Sequence, residues 1–141
     1  MKVLDYECPE NLFYHKDHAW ARVEGDIVVF GVTDFAQKQA GTIKRIQTLE
    51  PDDEIDQHAP FGTLSSGKWT GKMQSPLSGV IVETNAVLEE KPKTVNDSPY
   101  ADGWIVKIKP SKLDEELKNL FKAGTPEFQA WLEAENKKYK K

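Results

Sequence analysis

Short apolar runs separated by turn residues fill the first 110 positions, and apolar residues take up helical spacing only after them. Residues 18–24 alternate imperfectly between apolar and polar, Gly25 and Asp26 form a turn signal, and residues 27–32 are almost wholly apolar. This pattern predicts a hairpin over residues 12–32, with its second strand buried. Thr33 is placed to cap a short helix over residues 34–40, which Gly41 ends. Residues 42–49 are predicted as a strand, and Pro51, Asp52 and Asp53 as a turn. The acidic stretch 50–56 is expected to be a solvated loop. From Ala59 onward, two strand-like runs flank Lys68, and residues 79–84 form a further strand. Residues 85–102, with Pro92 and Pro99, are a long polar connection. Residues 103–109 return as a strand with Trp104, Val106 and Ile108 on one face.

The pattern then changes period. Ser111 and Asp114 fit a capping box, and Leu113, Leu117, Leu120 and Phe121 follow at helical spacing until Gly124. Thr125 and Pro126 start a second helix with Phe128, Trp131 and Leu132 on one stripe. The sum is a mainly-β chain with one small internal helix and a C-terminal helical pair packed outside it. A weak symmetry surrounds Lys68: turn, strand, turn before it, and strand, turn, strand after it. Two such halves meeting at a hairpin suit a flattened barrel with the lysine at one end.

Composition narrows the chemistry. The chain of 141 residues is long enough for one domain with a real core. A net charge of −4 and the lack of a basic stripe with interleaved aromatics argue against nucleic acid. The lysines at 137, 138, 140 and 141 read as a solvated tail. No apolar stretch approaches the roughly 20 residues of a membrane span, and the first eight residues lack the apolar region of a signal peptide. A cytoplasmic location is therefore expected. Cys8 is the only cysteine, so it can form neither an internal disulfide nor a thiolate metal site by itself. His15, His18 and His58 lack metal-ligand spacing with acids. No Ser/His/Asp order, phosphate loop or HExxH motif occurs. No catalytic residues and no metal site are expected.

One segment remains as candidate chemistry. Lys68 lies between Gly67 and Gly71, ahead of a turn formed by Pro76, Leu77, Ser78 and Gly79. An exposed lysine in a turn most often serves solubility. The same layout also offers a free amine on a hairpin tip, which a cofactor carried on a swinging arm requires. Gly67 and Gly71 are expected to permit turn geometry that side chains oppose. Lys72 is a second candidate amine. Trp69, beside the lysine, either marks a contact surface or folds back onto the barrel.

Ordered matches extend well beyond this hairpin. They comprise His18 and Trp20; residues 31–37 and Gly41; Phe61, Gly62, Ser66, Lys68, Pro76, Ser78 and Gly79; residues 85–88; Pro92, Val95, Asn96, Pro99 and Tyr100; residues 102–104; and residues 107–110. Through them the chain resembles the H protein of the glycine cleavage system, a lipoyl carrier, from about residue 15 to 131. The resemblance implies a lipoyl-domain-like barrel-sandwich hybrid: a flattened β-barrel of two antiparallel sheets, with a short internal helix and C-terminal helices. It implies one carrier domain over 1–141, with a β core at 12–110 and a helical extension at 111–138. It also implies lipoate in amide linkage to Lys68. Such a carrier presents the group while the dithiolane does the chemistry, consistent with a chain that has no catalytic constellation.

The departures from the family pattern cluster near the lysine. Ser65 and Lys72 stand where the family usually has acids, Gly67 and Trp69 where it has Val and Ala, and Ala19 where it has Glu. Lost carboxylates remove counter-charges for an amine, and Lys72 favours an anionic group. In this the chain resembles the lipoate-binding H-like proteins of heterodisulfide-reductase-like sulfur oxidation, and the expected function is a lipoyl carrier for that sulfur-oxidising complex. The alternative is the glycine cleavage carrier of the aminomethyl group, with glycine decarboxylase, aminomethyltransferase and dihydrolipoyl dehydrogenase as partners. A second alternative is an unmodified interaction module. Biotin is disfavoured, because Gly67 and Trp69 replace the methionines that bracket a biotinyl lysine. Ser65, Ser66, Gly67, Trp69, Gly71 and Lys72 are expected to form the face read by a lipoate–protein ligase or lipoyl transferase. The carrier is expected to be a monomer.

Overall fold

The structure, a computed structural model, describes residues 2–3, 6–67 and 70–139. The chain begins with a small two-stranded sheet, β1 (Lys2–Val3) against β2 (Tyr6–Glu7). The predicted hairpin follows. β3 (Phe13–Tyr14) leads into β4 (Ala19–Glu24) and β5 (Ile27–Val32), which pair antiparallel around Gly25 and Asp26. Val28, Val29 and Phe30 are fully buried, as their apolar run requires. Trp20 of β4 lies flat over Gly31 of β5, where an added Cβ would come within 2.5 Å of the indole. The glycine therefore makes room for the ring.

Helix α1 (Asp34–Ala40) forms as predicted. Thr33 Oγ1 accepts the Ala36 N–H at 3.1 Å, and Gly41 closes the helix at φ 86°. β6 (Ile43–Thr48), β7 (Glu54–Ile55), β8 (Pro60–Ser66), β9 (Thr70–Gln74) and β10 (Gly79–Thr84) follow. The acidic stretch 50–56 is not wholly a loop. β7 pairs with β10 and buries Ile55 in the core. The connection 85–102 is likewise not irregular throughout, since it folds into the single-turn helices α2 (Val87–Glu90) and α3 (Thr94–Asp97). Leu88 and Val95 anchor them in the core.

β11 (Val106–Pro110) starts later than its apolar pattern suggests. Val106 and Ile108 face the main core, whereas Trp104 precedes the strand and packs with a different cluster. The predicted helix after Ser111 is cut short. α4 (Leu113–Leu117) has no side-chain cap, so the capping box does not form, and Phe121 enters β12 (Phe121–Lys122). β12 covers the edge of β3, with Phe121 opposite Tyr14. Pairing an open strand edge outweighs a weak helical periodicity here. α5 (Pro126–Tyr139) is the predicted second helix, and Thr125 Oγ1 caps it by accepting the Phe128 N–H at 3.2 Å.

Two larger sheets result. The seven-stranded sheet runs β12-β3-β4-β5-β11-β10-β7, and the three-stranded sheet runs β6-β8-β9. Every described pairing is antiparallel. Their inner faces meet through residues such as Phe30 and Phe61, whose ring centroids are 5.6 Å apart. This is the expected flattened barrel-sandwich. A second cluster lies on the opposite side of β4 and β5, where α5 inserts Phe128 and Leu132 beside Tyr14, Trp20 and Val29.

Candidate functional site

β8 is the central strand of the three-stranded sheet, hydrogen-bonded to β6 on one side and β9 on the other. Its last pair with β9 is Ser65 with Thr70. Four residues, 66–69, separate that pair along the chain. Lys68 and Trp69 are among them and lie outside the described residues. The strand that leads to them, β8, is held on both edges and from below. Phe61, Leu64 and Met73 turn inward and are almost completely buried.

The two-residue period of the strands sorts the other candidate residues. Ser65 and Lys72 fall on the outer face. Ser65 sits between Arg45 and Thr70 in register, and Thr70 Oγ1 donates to Ser65 Oγ at 3.3 Å. Ser66 instead turns inward and is buried, so it is not part of an exposed recognition face. Gly71 lies within β9 opposite Leu64, which makes it a strand residue rather than a turn residue. Gly67 is exposed, and among the described residues a Cβ built there would approach only Lys44 Cε, at 3.6 Å. It has no positive φ, so this glycine is not required by strain. Ala19, which stands for a family acid, is buried in the main core and takes no part in the outer surface.

The turn that follows β9 is held by buried polar bonds. Ser75 Oγ donates to the Leu77 carbonyl at 2.5 Å. Ser78 gives both its N–H and its hydroxyl to the Glu116 carboxylate, at 2.7 and 2.6 Å. Gln57 joins the same network by donating to the carbonyls of Pro76 and Glu116. Glu116 of α4 thus braces the arm hairpin's exit, a link of 38 residues that no local pattern announces.

Cys8, His15 and His18 are buried titratable groups with structural settings. Burial pushes the Cys8 thiol up to about 11, which keeps it protonated and unreactive at neutral pH. His15 and His58, distant in sequence, meet at 2.6 Å between Nε2 and Nδ1. The Asp17 N–H donates to His15 Nδ1, so the His15 proton sits on Nε2 and is given to His58. Burial and the facing His58 hold His15 down to about 4. His18 is stacked between Phe35 and Trp131, with Nε2 at 2.9 Å from Glu135, so it ties α5 to the entry of β4. Its own ionisation is opposed by burial. Among the described residues, no cluster of three or more His, Cys, Asp or Glu could hold a metal ion.

Comparison with known proteins matches residues 12–133 to the glycine cleavage H-protein family. The chain is 42% identical over 119 residues to a probable glycine cleavage system H protein 2 of Saccharolobus solfataricus, covering 82% of this chain and 80% of the relative. It is 42% identical over 112 residues to the glycine cleavage system H protein of Staphylococcus carnosus, covering 77% and 89%. A crystal structure of a glycine cleavage system H protein from Mycobacterium marinum superposes with a TM-score of 0.78 at 26% identity, covering 89% of this chain and 98% of that one. These relatives carry glycine cleavage names. The sulfur-oxidation role expected from the departures near the lysine finds no support among them, and the alternative fits better.

Proposed function

This chain belongs to the glycine cleavage H-protein family of non-catalytic lipoyl carriers, and we propose that Lys68 is its lipoyl attachment residue and that its cargo is the aminomethyl group of glycine cleavage. The observation that carries this reading is the β8–β9 register. Pairing that closes at Ser65 and Thr70 brackets Lys68 within a four-residue connection. Members of this family carry lipoate covalently on a lysine. The surroundings fit an acylated amine: Gly67 is exposed, and among the described residues only Lys44 comes near a Cβ built there.

When attached, the lipoyl group supplies a dithiolane that holds and releases the transferred fragment. The chain supplies position. β8 is bonded on both edges and packed on Phe30 through Phe61, so the base of the arm is rigid. The lysine side chain adds reach without requiring backbone motion. No residue in the hairpin offers acid–base chemistry, so the reaction steps belong to partner enzymes. Those partners are a lipoate–protein ligase or lipoyl transferase for loading, then glycine decarboxylase, aminomethyltransferase and dihydrolipoyl dehydrogenase in turn. The setting we infer is cytoplasmic, with residues 1–141 acting as one carrier domain.

The test is exchange of labelled bicarbonate into glycine by glycine decarboxylase, with the lipoylated protein as the added carrier. Exchange that depends on lipoylated protein and is absent with Lys68→Arg is the expected result. A fully lipoylated protein that supports no exchange would overturn the glycine cleavage assignment and leave a different cargo, sulfur included.

A further inference from the structure

The three strands that carry the arm differ in charge from the rest of the molecule. β6, β8 and β9 contain Lys44, Arg45 and Lys72 and not one acidic residue. They hold three of the 19 basic side chains and none of the 23 acidic ones, in a chain of net charge −4. All three cations are exposed. No described carboxylate lies within ion-pair distance of them, whereas Lys38, Lys93 and Lys107 each have an acidic partner. The outer face between them is polar and uncharged: Gln47, Thr63, Ser65 and Thr70.

We infer that this outer face docks an acidic protein surface, so that partners meet the arm through the sheet from which it projects. The inference rests on the reading that Lys68 bears the arm, and it specifies the partner's charge. Arg45 and Lys72 are two strands and two residues apart, which separates their backbones by about 12 Å. That spread suits an extended acidic surface better than one small anion. Acylation removes the charge of Lys68 itself, so the three cations of the face persist in the loaded carrier. Charge complementarity of this kind steers encounter and fixes orientation more than it adds affinity. A carrier that must leave each partner after one transfer benefits from that combination.

The test is backbone-amide NMR on the ¹⁵N-labelled full chain, in unmodified and lipoylated forms, titrated with poly-L-glutamate and separately with sodium sulfate at matched ionic strength. Shifts confined to residues 43–48, 60–66 and 70–74, in both forms, are expected with poly-L-glutamate. Binding should weaken about tenfold as salt rises from low to above-physiological strength. It should weaken at least about tenfold in the Lys44→Ser/Arg45→Ser/Lys72→Ser variant, and to a lesser degree in Lys72→Ser alone. Shifts centred elsewhere, or binding unchanged in both variants, would overturn the inference. So would sulfate saturating the same amides as tightly as the polymer, which would identify a small-anion site instead. Intact mass measured on the same samples reports lipoylation of Lys68 separately. Loss of the arm reading would appear there, whereas the charge of the face is read in the unmodified protein.

Discussion

Glu116 provides a sharp test of how the arm hairpin is braced. The residue is 8% exposed, and its carboxylate accepts two bonds from Ser78, which is 7% exposed. Hydrogen bonds to a charged acceptor contribute about 1.5–3 kcal/mol each. Truncation to Ala removes both and strands the Ser78 N–H in a buried site. Part of the loss is offset, because a buried carboxylate no longer has to be desolvated. The balance for Glu116→Ala is about 3–4 kcal/mol of lost stability. For a chain of this length that corresponds to a Tm lower by about 10–14 °C. Glu116→Gln keeps one acceptor and should cost about half as much. The Gln57 bond to the Glu116 backbone carbonyl survives in both variants. Urea unfolding of Glu116→Ala, Ser78→Ala and the double variant isolates the pair. We expect a coupling energy of about 1.5–3 kcal/mol. Additive losses, or a total cost for Glu116→Ala below about 1 kcal/mol, would refute the bracing argument. Lipoylation of the folded fraction should be unchanged, since neither side chain lies on the outer face.

Three further outcomes follow from the same structure. His15 is held down to about 4, so between roughly pH 6.5 and 4 the unfolded chain binds the proton that the folded chain refuses. Stability should therefore fall as pH drops through that window, by up to about 3 kcal/mol, and urea unfolding of His15→Gln should show a shallower fall; identical profiles would contradict this. Gly31→Ala drives a methyl group into the fully buried Trp20 indole. It should cost about 2–3 kcal/mol, checked by thermal unfolding with tryptophan fluorescence; an unchanged Tm would show that the ring can move. Ser65→Glu restores a family acid opposite Arg45, so a conventional lipoate ligase should modify the variant faster, with stability altered by less than about 1 kcal/mol. Equal initial rates, followed by mass, would remove Ser65 from ligase recognition.

Elements whose cause is local were legible in the chain. The β4–β5 hairpin has its turn and apolar run in adjacent residues, and α1 and α5 have their caps at Thr33 and Thr125. What was not legible depends on distant partners. β7 is a strand because β10 offers an edge beside Ile55, although the surrounding residues are acidic. β12 interrupts a helical pattern because β3 also needs an edge partner. The same limit applies at the site. Lys68 and its flanks stood out by composition, and a two-residue period could have assigned Ser65 and Lys72 to one face and Ser66 to the other. Nothing local could place Ala19 in the core rather than near the arm. The His15–His58 and Ser78–Glu116 contacts span 43 and 38 residues, so neither leaves a spacing signature.

The most direct test of the central claim is intact mass with peptide mapping on protein purified from its native host, beside the Lys68→Arg variant expressed the same way. One lipoyl increment, mapped to Lys68 and absent from the variant, is the expected result. An unmodified native chain, or an increment that persists in the variant and maps to Lys72, would contradict it.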